Sequence, residues 1–321
     1  MLYLGEKDIL EAAGFDELMD TIEDAYFVEH SGEYEMPPRV HVNNGDNTVL
    51  YMPCFLNSIF GTKILTLFPG NASKHKPVIQ GLVLLNDVET GRPLAIIDGA
   101  KLTAVRTGAV GGVGIRHTAS ISARTLGLVG AGVQGFHQVL FACRARPVAR
   151  VNLFDSITEK ASALAAKLGQ ALPGVSVEAV NDVNTLLEGS EIVITATPAA
   201  KPVLPDDKAL LKGKHYLAIG SYKPDMRELP ASLYALVDKV FIDTGHGLGE
   251  SGDLITPLQQ NWISREQIVT FAEHLHGAQT AIRPGETTLF KSVGMALFDI
   301  VLAELIYRKA LQKNIGQKIR V

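Results

Sequence analysis

Four glycines lie close together in GLVGAGVQG (residues 127–135), and an acidic residue, Asp155, lies twenty residues after the last of them. The segment follows a short apolar stretch and precedes a stretch with helical spacing. In such a strand–turn–helix arrangement, Gly130 allows the tight turn, Gly132 lets the backbone approach a pyrophosphate, and Gly135 lets the helix pack close to the strand. These residues predict a dinucleotide-binding turn at the N-terminus of a helix.

The type of dinucleotide is indicated by the acid. A carboxylate at the end of the second strand accepts hydrogen bonds from the adenine-ribose hydroxyls and repels a 2′-phosphate. No arginine follows Asp155 in FDSITEK (154–160), although Lys160 is near. The sequence therefore favours NAD(H), with NADP(H) as the second choice. The alternative interpretation is a Rossmann-type fold in which the glycine turn is merely structural.

Three basic residues ahead of the glycine turn stand in apolar or small-residue surroundings. Arg39 follows two prolines, Lys63 interrupts FGTKILTLF (60–68), and Arg106 stands in KLTAVRTGAV (101–110). A buried cation is unfavourable without a partner, and a guanidinium fork matches a carboxylate. An internal salt bridge or an exposed position explains any one of them alone. Three together, upstream of one cofactor motif, favour a pocket for a carboxylate substrate.

The elements that must position these residues change in character along the chain. About the first hundred residues read as mostly β, with one amphipathic helix over 15–26. From about residue 125, short apolar strands alternate with helices, which predicts an α/β fold with a mostly parallel sheet covered on both faces. The segment SVGMALFDIVLAELIYRKALQK (292–313) predicts a long final helix, whose apolar stripe is more typical of a core or subunit interface than of a ligand pocket.

Composition excludes several classes of protein. The chain has 321 residues and a formal net charge of −4, which gives no reason to expect a nucleic-acid partner. No apolar run approaches the roughly 18 residues of a membrane span, and acidic residues by position 6 do not suit a secretory signal. The two cysteines, Cys54 and Cys143, are expected to be free thiols in the cytoplasm. No metal-binding or acyl-enzyme motif is present, so we expect no metal.

The leading β segment also bears on assembly. It has too few predicted helices to cover both faces of a sheet. A sheet face left uncovered is commonly buried against a second copy of the same chain. The sequence therefore predicts a homodimer. The other expected partner is a small-molecule amino or imino acid substrate.

With these features in view, the whole chain resembles the ornithine cyclodeaminase/μ-crystallin family. The resemblance implies a Rossmann dinucleotide-binding domain (118–291) inserted into a mostly β (α+β) substrate-binding and dimerisation domain (1–117), to which the C-terminal helix (292–321) returns. The matching stretches run in family order from residue 37 to 297: PPRVHV, YMP, GTKILTLFPGN, QGLVLLNDVETGRPLAIIDGAKLTAVRTGAV, GLVGAGVQG, AIGSYKPDMRELP, ESGDL and TLFKSVGMAL.

The resemblance also implies roles for individual residues. Arg39, Lys63 and Arg106 would bind the substrate carboxylate. Ser292 would contact the nicotinamide. Further cofactor contacts are implied along Val133, Gln134, Asp155 and Thr197.

The chain departs from the cyclodeaminases at two positions. Cyclodeaminases and related alanine dehydrogenases carry a catalytic aspartate in a G-[AG]-D-x-P setting, where the carboxylate handles protons at the substrate amine. In IGSYKPDMREL (219–229), alignment on the proline puts Tyr222 in that position and Asp225 three residues later. The cyclodeaminases also carry an acid two residues before the Met-Pro pair, where this chain has Leu50. The first departure resembles the μ-crystallin branch, whose members act as ketimine reductases, and both departures remove groups that would suit a diamino acid.

We therefore predict NAD(P)H-dependent reduction of a cyclic 2-imino carboxylate, Δ1-pyrroline-2-carboxylate or Δ1-piperideine-2-carboxylate, to L-proline or L-pipecolate. Arg39 and Arg106 would clamp the carboxylate. The proton would come from Lys63 or from a water near Tyr222, unless the imine arrives protonated. Three alternatives stay open: ornithine cyclodeamination with Asp225 moving into the missing role, L-alanine dehydrogenation, and a non-catalytic dinucleotide-binding protein like μ-crystallin.

Overall fold

The computed structural model describes residues 1–277 and 285–320, which form an α/β fold with two β-sheets, as the sequence predicts. The chain divides into two compact units. The first unit comprises Met1–Arg106 and Met295–Val321, and the second comprises Thr107–Gly294. The sequence and the family resemblance predicted domain boundaries at 117/118 and 291/292. These boundaries stay a prediction.

The first unit contains a seven-stranded, mostly antiparallel sheet in the order β15-β1-β6-β5-β4-β3-β2. Its strands are β1 (Leu2–Leu4), β2 (Val40–Asn44), β3 (Asn47–Phe55), β4 (Ile59–Leu67), β5 (Ile79–Asp87), β6 (Pro93–Asp98) and β15 (Gln317–Lys318). Its helices are α1 (Glu6–Ala12), α2 (Phe15–Ser31) and α11 (Ala296–Lys313), together with the start of α3 (Gly99–Thr118).

One face of this sheet is the core of the first unit. Side chains alternate along β3 and β4, so that Leu50, Met52 and Lys63 all point to the buried face. Helix α11 packs on β3, β4 and β5 and is itself covered by α1 and α2. The C-terminal helix thus supplies the layer that buries this face.

The opposite face, which we call the outer face, is apolar and open. Cross-strand pairs such as Val40 with Tyr51 and Ile64 with Leu82 place their side chains on it. Five of its apolar side chains are between 42% and 52% exposed: Val40, Val42, Tyr51, Phe55 and Leu82. An apolar surface of this kind is typical of a protein–protein contact.

The second unit is built on an eight-stranded parallel sheet in the order β13-β12-β14-β11-β10-β7-β8-β9. Its strands are β7 (Thr125–Val129), β8 (Arg150–Phe154), β9 (Ser176–Ala179), β10 (Ile192–Thr195), β11 (His215–Ala218), β12 (Val240–Ile242), β13 (Ile268–Thr270) and β14 (Thr288–Lys291). Its helices, besides the rest of α3, are α4 (Val133–Ala145), α5 (Thr158–Ala171), α6 (Val183–Glu188), α7 (Lys208–Leu211), α8 (Ala231–Tyr234), α9 (Gly252–Gln259) and α10 (Phe271–His276).

The strand order reverses between β7 and β10, which is the Rossmann arrangement. Ligands of such sheets bind beyond the carboxyl ends of the strands at that reversal. The loops that follow β7, β8 and β10 lie at these ends, and they contain four of the predicted cofactor residues: Gly130, Gly132, Asp155 and Thr197.

Among the residues that the structure describes, no helix has both the length and the apolar character needed to cross a bilayer. Cys54 and Cys143 are free thiols. Within the same described ranges, no group of three His, Cys, Asp or Glu side chains is arranged to hold a metal ion.

Candidate active site

A buried aspartate joins two of the predicted carboxylate-binding cations in the first unit. Lys63 Nζ donates to Oδ2 of Asp299 at 2.6 Å, and Arg106 Nε donates to Oδ1 of the same carboxylate at 3.1 Å. The side chains of Lys63, Arg106 and Asp299 are 1%, 7% and 0% exposed. Strand β4, helix α3 and helix α11 each contribute one member, so three separate elements build this cluster.

The cluster carries more positive than negative charge. Among the described residues, one carboxylate pairs with these two cations, so the three side chains together carry one excess positive charge when Lys63 is protonated. The contact with Arg106 uses Nε and leaves both Nη groups of the guanidinium to another acceptor. Arg39, immediately before β2, is half-buried and close enough for its charge to act on Lys63. A buried excess of positive charge with unused donors suits an anionic ligand.

Burial perturbs the protonation of Lys63. Removal from water lowers the pKa of Lys63 to about 8. The charge and hydrogen bond of Asp299 raise this pKa, whereas the positive charges of Arg106 and Arg39 lower it further. An ammonium group with a pKa in this range both attracts an anion and donates a proton near neutral pH.

The internal salt bridge, one interpretation left open for the cations, is therefore present, and its acid was missed in the sequence. Asp299 lies on α11 between Phe298 and Ile300, which are both fully buried. A carboxylate inside the apolar stripe of a helix needs a cation. An acid with two apolar residues on each side, in LFDIV (297–301), was the available signal, together with the cations in apolar segments upstream.

In the second unit, the glycine segment forms the predicted turn between β7 and α4. Gly130 has φ 108°, a region that favours glycine, and a Cβ there would lie 2.6 Å from the carbonyl oxygen of Ala196. A Cβ on Gly135 would lie 2.3 Å from the carbonyl oxygen of Gly130. Gly130 thus lets the turn lie against the loop after β10, and Gly135 lets α4 lie against the turn.

The space beside this turn fits a pyrophosphate. A Cβ on Gly132 would meet no described atom within 4 Å, so its backbone faces open space. Gly132 is the N-cap of α4 and offers no side-chain cap, which leaves the first N–H groups of the helix to a ligand. Val133 is exposed, and Gln134 has a buried Oε1 with no hydrogen-bond partner in the described chain.

Asp155 lies just beyond β8 and contacts the turn. Its Oδ2 accepts the N–H of Ala131 at 2.8 Å, and its Oδ1 accepts the N–H of Ile157 at 2.9 Å. The acid therefore ties the glycine turn to the loop after β8. Each carboxylate oxygen has a second lone pair, so ribose hydroxyls can still donate to it.

The loops after β10 and β11 are fastened by an acid that the sequence reasoning passed over. Glu228, fully buried, accepts the N–H of Thr197 at 2.7 Å and its hydroxyl at 2.8 Å on one oxygen. Its other oxygen accepts the N–H of Gly220 at 2.7 Å. Glu228 lies in the PDMREL stretch (224–229), three residues after Asp225.

Ser292 lies directly after β14 and is buried. Its hydroxyl donates to Asp243 Oδ2 at 2.7 Å, and the same carboxylate accepts the N–H groups of Val293 and Gly294. A cofactor would therefore meet the Ser292 hydroxyl as a hydrogen-bond acceptor. Its contact with a nicotinamide stays a prediction.

Tyr222 and Asp225 lie in the loop after β11. Burial raises the pKa of the Tyr222 phenol, and the negative charge of Asp225 adds to that increase. Tyr222 thus stays protonated at neutral pH and is unsuited to act as a base there. Asp225 is exposed, whereas Tyr222 is half-buried.

Comparison with known proteins places this chain in a family. A model described as the ornithine cyclodeaminase/mu-crystallin family matches residues 3–314. A Δ(1)-pyrroline-2-carboxylate reductase of Bacillus cereus is 35% identical over 283 residues, 86% of each chain.

Two solved structures are also similar. The Δ(1)-pyrroline-2-carboxylate reductase of Thermococcus litoralis, in complex with NADH and L-proline, has a TM-score of 0.93 and 31% identity, covering 99% of this chain and 100% of that one. An archaeal alanine dehydrogenase dimer with bound NAD has a TM-score of 0.90 and 27% identity, covering 100% and 99%. The chain therefore belongs to the ornithine cyclodeaminase/μ-crystallin family.

Proposed function

We propose that this chain is an NAD(H)-dependent reductase that converts a cyclic 2-imino carboxylate, Δ1-pyrroline-2-carboxylate or Δ1-piperideine-2-carboxylate, to L-proline or L-pipecolate. The observation that carries the proposal is the buried cluster in which Asp299 binds Lys63 and Arg106 but leaves one positive charge and two Nη groups for a ligand. The similarity to a reductase that binds NADH and L-proline supports the choice of substrate.

The substrate carboxylate would bind to the unused donors of this cluster. The Nη groups of Arg106 and the remaining N–H groups of Lys63 would donate to it, with Arg39 as a third cation. Each charge-assisted hydrogen bond contributes about 1.5–3 kcal/mol. This assigns the anionic end of the substrate to the first unit.

The apolar residues of β3 favour a ring over a diamino acid. Met52 lies directly opposite Lys63 in the sheet, and Leu50 lies opposite Leu65 on the same buried face. The methylene groups of a cyclic imine can contact such side chains. The distal ammonium group of ornithine would lose water beside Leu50 without gaining a carboxylate, which is unfavourable.

The reduction also needs a hydride and a proton. Bound NADH supplies the hydride that reduces the C=N bond. We assign the proton to Lys63, whose pKa of about 8 keeps much of it protonated at neutral pH. Tyr222 has its pKa raised and does not replace the aspartate as a base, which argues against a reaction that must deprotonate an ammonium group.

The cofactor would bind to the glycine turn of the second unit. Gly130, Gly132 and Gly135 shape the turn for a pyrophosphate, and Val133 and Gln134 begin the helix that would meet it. Asp155 favours NAD(H) over NADP(H), because a carboxylate repels a 2′-phosphate. Thr197 and Ser292, each held by a buried acid, would complete the site.

We also propose a cytoplasmic homodimer that buries the outer face. Exposed apolar side chains on β2, β3 and β5 support this assembly, and a related alanine dehydrogenase of known structure is a dimer. Two free thiols suit a reducing compartment. Light scattering of the purified protein would measure the mass of the assembly.

The deciding experiment measures NADH oxidation with the two cyclic imines and with pyruvate plus ammonia, in parallel with NADPH. We expect turnover with at least one imine and a preference for NADH. A preference for pyruvate plus ammonia would instead indicate an alanine dehydrogenase. Ammonia release from L-ornithine with NAD⁺ would indicate a cyclodeaminase, and tight NADH binding without any turnover would indicate a binding protein.

A further inference from the structure

Asp299 occupies an unusual place for a charged group. It is fully buried, and α11 presents apolar side chains on either side of it. A helix that served only to cover the sheet would have an apolar residue at this position, since buried ions lose their hydration. The two cations that it contacts, Lys63 and Arg106, therefore explain why a carboxylate is present at this position.

Both oxygens of Asp299 are committed to the two cations. Oδ2 accepts from Lys63 on β4, and Oδ1 accepts from Arg106 on α3. Because the bond to Arg106 is made through Nε, the rotation of the guanidinium is restricted while its Nη edge stays available. A single side chain thus orients two ligand-binding groups that come from different elements.

Asp299 raises the pKa of Lys63, whereas burial and the neighbouring positive charges lower it. The groups that face Lys63 are Arg106 on α3 and Arg39 before β2, which are both positive, and Asp299 on α11. Its direct neighbours in the sheet, Met52 on β3 and Val83 on β5, carry no charge.

A thiol on β3 lies nearby as well. Burial and the charge of Asp299 raise the pKa of the Cys54 thiol to about 12, so this thiol stays neutral. Of the described groups that act on Lys63, Asp299 is thus the one that favours its protonated form.

We propose that Asp299 is a positioning residue for imine reduction: its carboxylate holds Lys63 and Arg106 in the geometry that binds the substrate carboxylate and keeps Lys63 protonated for proton transfer. This inference rests on the proposed function, because it names what organises that same site. Asp299 itself does not touch the substrate.

The test compares Asp299→Asn, Asp299→Glu and the matched control Glu304→Gln. Glu304 lies on the same helix, forms an ion pair with the exposed Arg308 and accepts the Ser58 hydroxyl at 3.0 Å. For each protein, kcat and KM for the imine are measured across pH, together with the dissociation constant of NADH and the thermal midpoint.

We expect Asp299→Asn to lower kcat/KM about tenfold or more at neutral pH and to move the basic limb of the pH profile to lower pH by about one unit. The dissociation constant of NADH should be unchanged. Asp299→Glu should retain the basic limb near its original pH while raising KM, because the charge remains but its position shifts. Glu304→Gln should match the wild type.

A direct readout of Lys63 separates this inference from the proposed function. Isotope-labelled lysine, with the Lys63 resonance assigned by a Lys63→Arg variant, gives its titration by NMR in the wild type and in each Asp299 variant. If the wild type reduces no imine, the proposed function fails, and the titration still tests the effect of Asp299 on Lys63.

Two results would overturn the inference. The first is an unshifted titration and pH profile in Asp299→Asn. The second is a loss of activity in both Asp299 variants that follows only the folded fraction, since this would make Asp299 merely structural. If Asp299→Asn fails to fold, Asp299→Glu decides: unchanged KM and kcat refute the positioning role.

Discussion

Replacing Arg106 with alanine tests the carboxylate site most directly. The variant removes both Nη groups, and with them two charge-assisted bonds to the substrate, while Lys63 still neutralises Asp299. At about 1.5 kcal/mol for each bond the loss is about 3 kcal/mol, which corresponds to about a hundredfold weaker substrate binding. Arg106→Lys retains the charge but not the guanidinium fork, so its affinity for the substrate should lie between those of the wild type and Arg106→Ala.

The assay is steady-state NADH oxidation at varied imine concentration, with NADH binding followed by fluorescence. The effect should appear in KM for the imine and leave the dissociation constant of NADH unchanged. Arg308→Ala is the matched control, because this exposed arginine pairs with Glu304 on the surface of α11. A KM for Arg106→Ala within about threefold of wild type would refute the assignment, since even one such bond is worth more.

Three other predictions follow from the described geometry. Because Lys63 has a pKa of about 8, kcat/KM should be constant below that pH and fall as pH rises through it, and Lys63→Met should abolish this basic limb. Gly135→Ala should destabilise the fold, because its Cβ would lie 2.3 Å from the carbonyl oxygen of Gly130, whereas Gly132→Ala should fold normally and bind NADH more weakly. Leu82→Asp on the outer face should give monomers in light scattering.

Each of these has a clear contrary result. A basic limb that persists in Lys63→Met would assign the titration to another group. Equal thermal midpoints for the Gly132 and Gly135 variants would contradict the close packing at the turn. A Leu82→Asp protein with the wild-type mass would place the interface elsewhere, and circular dichroism would verify that this variant is folded.

Much of the fold could be predicted from local sequence patterns. Helix α2 covers the predicted amphipathic segment 15–26, and α4 begins directly after the glycine turn as predicted, because helical spacing and the glycine turn are local signals. Strand β14 was not foreseen, although it lies in the middle of the parallel sheet. It has four residues and ends on Lys291, a buried lysine that donates to the carbonyl oxygens of Ala218 and Ser221. These two carbonyl groups lie near Lys291 only when the chain is folded, so no local pattern indicates them.

For the candidate site, too, the sequence could not predict contacts between distant parts of the chain. Lys63 and Arg106 stood out because cations are unusual in apolar segments, but their shared partner did not. Asp299 is separated from them by 236 and 193 residues, and a pairing at such distances is set by the fold. Sequence alone left a salt bridge and a ligand site as rival explanations, whereas the geometry accommodates both on different edges of one guanidinium.

The position of Asp299 in the chain has a consequence for biosynthesis. The ribosome makes β4 and the start of α3 first, then the entire second unit, and α11 only afterwards. Until α11 emerges, Lys63 and Arg106 lack the carboxylate of Asp299, and β3, β4 and β5 lack the helix that packs on them. A nascent chain can therefore form its glycine turn before α11 has been synthesised, whereas the cluster of Lys63, Arg106 and Asp299 can form only afterwards.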